Sequence, residues 1–302
     1  MTPAVGPGRP APSAYEHHPG LRRLRASEEG RAWLARAGAL VEECTRRWSI
    51  TVGPPFDGAT TSLVLPAEDS DGSPAVLKLQ FPDRESEHEA DALRRWDGRG
   101  AVRLLAADPE RRALLLERCR PGRALTEVEP GRALAILTGV ARRLLVPAGP
   151  PFRSLSDEAA GWAGGLVARW EAAGRPCERT LVDAALEYLA ALPREQGEAV
   201  LLHQDLHAGN VLRAEREAWL AIDPKPLVGE RAFAAAPIVR GAELGHTPAA
   251  VRRRLDAVVD ELGVERDRAR GWTVAQTVAW AFDGASAVPG HIEVARWLLE
   301  GR

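Results

Sequence analysis

Residues Leu201-Leu202-His203-Gln204-Asp205-Leu206-His207-Ala208-Gly209-Asn210-Val211-Leu212 constrain this chain more than any other stretch. An apolar run leads into His-x-Asp, an Asn follows five residues after the Asp, and Val-Leu resumes. A second apolar segment, Trp219-Leu220-Ala221-Ile222, then delivers Asp223, Pro224 and Lys225. Short strands around a loop dense in carboxylate and amide oxygens suit phosphoryl transfer. One carboxylate orients a hydroxyl and takes its proton, while an amide and a second carboxylate hold a divalent cation. In that reading Asp205 is the first group, and Asn210 and Asp223 are the metal ligands. Two other readings of the same residues exist. Asp and Asn populate ordinary turns because they hydrogen-bond their own backbone. His203 and His207 are four apart, as in a zinc helix, but Gln204 stands where the general-base Glu belongs, and Gly209 and Asn210 suit a loop.

The chain has 302 residues, which fits two lobes better than one domain. At 45% hydrophobic and 27% charged it has the means to build a core. A net charge of −2 argues against non-specific nucleic-acid binding. Cys44, Cys119 and Cys177 are far apart and form no C-x-x-C pair, which suits a reducing cytoplasm and no structural metal. No apolar run is long enough to span a membrane, and no secretion signal opens the chain.

Forty residues are Lys or Arg, yet only Lys78 and Lys225 are lysines. Against such a bias a lysine marks a place where a compact ammonium is needed and a planar fork is not. Lys225 is two residues from Asp223. Lys78 interrupts the apolar strand Ala75–Leu79, where an ammonium needs a partner. The helix expected over Arg84–Trp96 offers Glu85, Glu87 and Glu89. Glu89 shares a face with Leu93 and Trp96, so it is the partner chosen; the alternative is a solvated acidic face.

In chain order, residues 1–20 read as a loose tail rich in Pro, Gly and Ala. Ser27 followed by Glu28 and Glu29 opens a helix whose stripe runs Trp33, Leu34, Ala37, Leu40, Val41, Cys44, Trp48. Strands are expected at Trp48–Val52 and Thr61–Pro66, around a Gly53-to-Gly58 turn. That turn has the spacing of a P-loop but ends in Ala59-Thr60, so it is not a Walker A motif. A hairpin tip over a nucleotide, with Gly58 opening the backbone to phosphates, is the functional reading; a plain turn is the other. Val102–Ala106 and Ala113–Glu117 read as a hairpin completing an antiparallel sheet. Beyond about residue 120 the chain turns mainly helical, with helices expected at Pro130–Val146, Ser156–Ala173, Thr180–Leu192, Pro248–Leu262, Glu265–Ala287 and Pro289–Leu299. The expected organisation is a tail over 1–20, an N-terminal nucleotide-binding lobe over 21–119, and a C-terminal catalytic and substrate lobe over 120–302.

Glycine-bearing hairpin, strand lysine, helix glutamate, H-x-D…N and strand aspartate occur in that order. So do Trp96-Asp97-Gly98-Arg99-Gly100-Ala101-Val102-Arg103-Leu104-Leu105-Ala106, Ala113 to Cys119, and Trp219 to Gly229 with its Ile-Asp-Pro-Lys core. Together they resemble the aminoglycoside/hydroxyurea antibiotic resistance kinases of the aminoglycoside phosphotransferase superfamily. The resemblance spans roughly residues 30 to 300. It implies an α+β, bilobal, protein-kinase-like fold with an antiparallel-sheet N-lobe and a mainly helical C-lobe. It implies ATP and Mg²⁺ as cofactors. It places Lys78, Glu89, Gly58 and Lys225 at the nucleotide, with the backbone of Glu117 and Cys119 at the purine edge. Two departures stand out. The family often has Gly where this chain has Gln204. It also commonly has a second acid where this chain has Ala234.

The activity so implied is ATP-dependent phosphorylation of a hydroxyl on a cationic aminocyclitol antibiotic such as streptomycin, by a monomer or weak dimer. Carboxylates and aromatics of the C-terminal helices would meet the cationic substrate: Glu243, Asp256, Asp260, Asp283 and Glu293, with Trp272 and Trp280. Asp283 and Trp280 are the substrate residues chosen. The alternatives are a kinase of another small hydroxylated molecule (hydroxyurea, a sugar or an amino alcohol), or an inactive kinase fold that only binds.

Overall fold

A computed structural model describes residues 15–300. The first fourteen residues of the expected tail lie outside the described residues. Of the rest, Tyr15 is buried and Pro19–Ala26 forms 3-10 helix. The described residues divide into two compact units, those up to Ala90 with Val102–Arg118, and Asp91–Ala101 with those from Cys119 onward.

The first unit begins with α1 (Glu28–Trp48), where the Ser27 hydroxyl accepts the Gly30 N–H at 3.0 Å. That cap satisfies one of the open N–H groups of the first turn. The helix runs through Trp48, so the strand expected from that residue is only Thr51–Val52 (β1); Ser49, in a left-handed conformation, ends the helix. Next come β2 (Ser62–Glu68), β3 (Pro74–Gln80), β4 (Leu104–Asp108) and β5 (Ala113–Glu117). The sheet order is β1-β2-β3-β5-β4, antiparallel throughout.

Alternation along β3 decides what faces where. Leu77 and Leu79 pair across to Leu65 and Leu63, and all four join the apolar stripe of α1 in one core. Lys78 lies between Val64 and Leu114 and therefore points to the opposite face, as does Gln80. Helix α2 (Glu89–Trp96) starts later than the expected Arg84, because Asp83 accepts the Ser86 N–H at 2.7 Å and holds the preceding residues in a turn.

Residues 91–101 belong with the second unit for visible reasons. The Trp96 indole, fully buried, donates to the Leu144 carbonyl at 2.8 Å, and Ala101 bridges Ala221. Helices α3 (Pro130–Leu144), α4 (Leu155–Ala172) and α5 (Arg179–Ala191) follow the first unit's last strand. Short strands β6 (Arg153–Ser154), β10 (Leu227–Glu230) and β7 (Ala199–Leu202) form one sheet in that order. A separate hairpin joins β8 (Val211–Arg213) and β9 (Trp219–Ala221).

Helices α6 (Ala235–Arg240), α7 (Pro248–Leu262), α8 (Arg266–Ala279) and α9 (Pro289–Glu300) complete the unit. Helix α8 is its centre: from Gly271 to Ala279 every residue is buried. Burial of that stretch removes water from its polar side chains, so the Thr273 hydroxyl bonds the Ala269 carbonyl and the Gln276 amide bonds the Gln204 carbonyl. The helix expected over Glu265–Ala287 ends at Ala279. Strands β11 (Phe282–Asp283) and β12 (Ser286–Ala287) follow, turning at Gly284 with φ +58°. An Asp-Gly pair is a hairpin signal, and here it outweighs the helical periodicity. No helix among the described residues is long and apolar enough to cross a membrane.

Candidate active site

In the first unit Lys78 Nζ donates to both oxygens of Glu89, at 2.7 and 2.6 Å. The two side chains are only 5% and 1% exposed, so each charge depends on the other for its burial. Gln80, one strand pitch from Lys78 on the same face, donates Nε2 to Glu89 Oε2 at 2.7 Å and also reaches the Ser86 carbonyl. Sequence reasoning did not find Gln80; its period-two spacing from Lys78 was the available signal. Gly58 has φ +95° with open space where a Cβ would project, so the backbone conformation itself explains the glycine. Glu117 ends β5, its N–H donating to the Arg103 carbonyl and its carboxylate accepting the Arg103 N–H, both at 2.9 Å. Cys119 is half-buried, lies in the second unit and is in no disulfide.

In the second unit the β7-to-β8 loop is a tight, strained structure. The Asp205 N–H donates to the His203 carbonyl at 2.8 Å, closing a three-residue turn with Gln204 at φ +65°. Such turns are rare for residues with a Cβ. Asp223 is also left-handed, with φ +55°. Strained residues of this kind persist only where surrounding contacts over-determine them.

Those contacts can be named. The Ile222 N–H donates to the Asn210 carbonyl at 2.9 Å, which extends the β8–β9 ladder and sets Asn210 opposite the residue before Asp223. Asn210 Nδ2 donates to the Asp205 carbonyl at 2.9 Å, so its amide oxygen is turned the other way. Lys225 N–H donates to the His203 carbonyl at 3.0 Å. His203 Nε2 donates to the Ile222 carbonyl at 3.0 Å, and its ring stacks on Trp96. Burial holds its pKa down at about 4, so the ring is neutral at pH 7. His207 instead bonds Glu243, so the two histidines serve different partners.

Asp205 sits between two cations. Lys225 Nζ is 3.1 Å from Oδ2 and Arg240 Nη2 is 3.4 Å from Oδ1. Both lie over the Trp280 ring, the guanidinium carbon at 4.5 Å and Nζ at 5.6 Å from its centroid. Trp280, expected to face a substrate guanidinium, thus carries cations of its own chain. Asp283 is exposed in the β11–β12 hairpin instead of closing a helix. Of the other carboxylates considered for a cationic substrate, Glu243 accepts the Ala208 N–H, Asp256 pairs with Arg266, and Glu293 pairs with His246 at 2.7 Å. Trp272 is a fully buried core residue whose indole donates to Glu230.

The two departures from the family pattern meet in space. Gln204 and Ala234 line the same small cavity, with Ala141, Leu144, Leu145, His203, Leu206 and Pro237. Gln204 is 2% exposed, and neither atom of its side-chain amide has a partner there.

A profile of the aminoglycoside/hydroxyurea antibiotic resistance kinase family matches residues 47–285. The chain belongs to this family. It is 40% identical to a streptomycin 6-kinase of Streptomyces glaucescens over 90% of this chain and 92% of that protein. It is 39% identical to a hydroxyurea phosphotransferase of Kitasatospora aureofaciens, over 91% and 90% of the two chains. Among solved structures, aminoglycoside phosphotransferase APH(4)-Ia in ternary complex with ADP and hygromycin B superposes with TM-score 0.57 at 15% identity. The match covers 86% of this chain and 95% of that one. The fold of this resistance kinase is therefore the α+β, protein-kinase-like one that the resemblance implied, and the chain is a phosphotransferase of that fold.

Proposed function

We propose that this kinase transfers the γ-phosphoryl group of ATP to a hydroxyl of streptomycin or a close aminocyclitol relative, in the cytoplasm, and so confers resistance. The observation that carries the chemistry is the cluster Asp205, Asn210, Asp223 and Lys225, pinned by the β8–β9 ladder and by the Asn210–Asp205 hydrogen bond. The streptomycin 6-kinase likeness over nine-tenths of the chain supports the substrate.

The donor set fits magnesium. An amide oxygen at Asn210 and a carboxylate at Asp223 are the hard oxygen ligands that Mg²⁺ takes, with water completing its shell. Magnesium–ATP held there would supply the phosphoryl group, with the cation offsetting its charge. Asp205 orients the acceptor hydroxyl and takes its proton. Lys225, already at the Asp205 carboxylate, steadies the phosphoryl oxygens. Lys78, held by Glu89 and Gln80, neutralises the α- and β-phosphates. None of these groups forms a covalent intermediate, so the protein contributes position and charge.

A second acceptor, hydroxyurea, is favoured by the nearly equal likeness to the Kitasatospora protein. The test is mass spectrometry of streptomycin, other aminoglycosides, hydroxyurea and simple sugars after incubation with the protein, ATP and magnesium. A single phosphoryl gain on streptomycin supports the proposal. A gain on hydroxyurea alone replaces the substrate and keeps the chemistry. No gain on any compound, with nucleotide bound, leaves an acceptor outside the panel or a binding protein.

A further inference from the structure

Asp205 has two cationic partners, and they are not equivalent. Lys225 is a flexible ammonium whose side chain is 25% exposed. Arg240 is 7% exposed, and both terminal nitrogens of its fork are engaged. Its Nη1 donates to Gln276 Oε1 at 3.0 Å, its Nη2 faces Asp205 Oδ1, and its plane lies over Trp280.

Gln276 ties this arrangement to the loop. It lies on the buried helix α8, is 0% exposed, and donates Nε2 to the Gln204 carbonyl at 3.3 Å. One amide thus accepts from Arg240 and donates to the residue before Asp205. The side chain and the backbone of the Gln204–Asp205 step are held by the same two residues.

Desolvating a guanidinium is costly, and a planar fork suits fixed, multi-point contact better than an ammonium does. The neighbouring imidazole adds no competing positive charge at neutral pH. His291 Nδ1 lies 3.3 Å from the Trp280 carbonyl, and burial together with the Arg240 charge keeps its pKa down at about 4.

We infer that Arg240 is a positioning residue for phosphoryl transfer: anchored by Gln276 and Trp280, it holds Asp205 Oδ1 through the whole turnover. Lys225 on Oδ2 is the exchangeable partner, which yields that oxygen to the acceptor hydroxyl. The inference rests on the assignment of Asp205 as the group that takes the hydroxyl proton. No bond to Arg240 forms or breaks; its effect is on how often the carboxylate is aimed correctly, which reads out in kcat.

The test is steady-state kinetics of the full-length protein with magnesium–ATP and the acceptor found by the mass-spectrometric panel. The variants are Arg240→Met, Arg240→Lys, Gln276→Leu and Asp205→Asn, with ADP affinity and thermal midpoint measured for each. Arg240→Met is expected to lower kcat about 100-fold with both KM values within threefold. Arg240→Lys should recover about tenfold of that loss, since it restores the charge without the fork. Arg240→Met with kcat within threefold of wild type, or with no recovery in Arg240→Lys, overturns the inference. If Arg240→Met does not fold, Gln276→Leu and Arg240→Lys decide: each should lose about tenfold in kcat at unchanged KM, and an unchanged kcat in both overturns it. An active Asp205→Asn variant removes the underlying assignment and the inference with it. An inactive Asp205→Asn beside a fully active Arg240→Met removes the inference alone.

Discussion

Glu243 Oε1 lies 3.1 Å from His207 Nδ1 and accepts the backbone N–H of Ala208 at 2.9 Å. One carboxylate from beyond α6 therefore clamps the loop that carries Asp205 and Asn210. Burial works against the charge on Glu243, but the His207 and backbone hydrogen bonds outweigh it and hold its pKa at about 2. Burial likewise works against the His207 cation, and Glu243 and Asp205 outweigh it, so its pKa lies above the ordinary value. His207 Nδ1 is also 3.1 Å from the Gly209 N–H. A protonated Nδ1 donates to Glu243; only the neutral ring can accept from Gly209.

The clamp has a definite pH window. Glu243 is depressed from 4.5, so its contribution is full above about pH 4.5 and fades toward pH 2. His207 is raised from 6.5, so its contribution is full below about pH 6.5 and fades as pH rises through the raised value. The stability lost in Glu243→Gln, on the order of 1–3 kcal/mol, should be greatest between those limits and shrink on both sides. Urea unfolding of both proteins from about pH 2 to 8.5 checks this; a difference independent of pH contradicts it.

Lys78 and Glu89 form a buried pair whose partners cannot be removed singly without leaving an uncompensated charge. Lys78→Met or Glu89→Leu should each cost about 3–5 kcal/mol, and the double variant less than either. Gln80→Leu should cost about 1–2 kcal/mol, since it removes one hydrogen bond to a charged group. Urea unfolding measures all four.

Gln204 and Ala234 should be energetically coupled, because they border one cavity. Gln204→Gly removes the strain of φ +65° but enlarges the void, so its net effect should stay within about 1 kcal/mol. Ala234→Asp pushes a carboxylate toward the Gln204 side chain and should destabilise. The double variant should recover at least about 1 kcal/mol relative to the sum of the singles. A double-mutant cycle by chemical unfolding reads the coupling directly, and strict additivity contradicts it.

Magnesium dependence should run through two side chains. Excess chelator should abolish transfer, and Asp223→Asn should raise the magnesium needed for half-maximal rate by at least about tenfold. Titration of activity with magnesium at fixed ATP measures this; an unchanged midpoint argues against Asp223 as a ligand.

Much of this architecture is legible in the sequence because it follows from short-range rules. Alternation around Lys78 gives its strand, and an ammonium in an apolar strand demands a carboxylate. The H-x-D…N spacing and the strand before Asp223 place three oxygen-bearing groups on one loop and hairpin. The rest depends on long-range contacts. Arg240 is one arginine among many, and nothing local marks it as the one at Asp205. Gln276 reads as an ordinary polar residue until α8 is seen to be buried. Glu243 and Trp280 have the right chemistry for a cationic substrate, but the chain's own cations and N–H groups engage them first. The Asp283-Gly284 turn was signalled locally, yet helical periodicity on its N-terminal side masks it.

The most direct test of the account is single-turnover phosphoryl transfer by Asp205→Asn beside the wild-type protein, with magnesium–ATP and streptomycin. ADP binding by calorimetry serves as the folding control. Nucleotide affinity within threefold of wild type, with transfer slowed by about 10³-fold, is the predicted result. Transfer by the variant within tenfold of wild type would contradict the assignment of Asp205, and with it the mechanism proposed for this kinase.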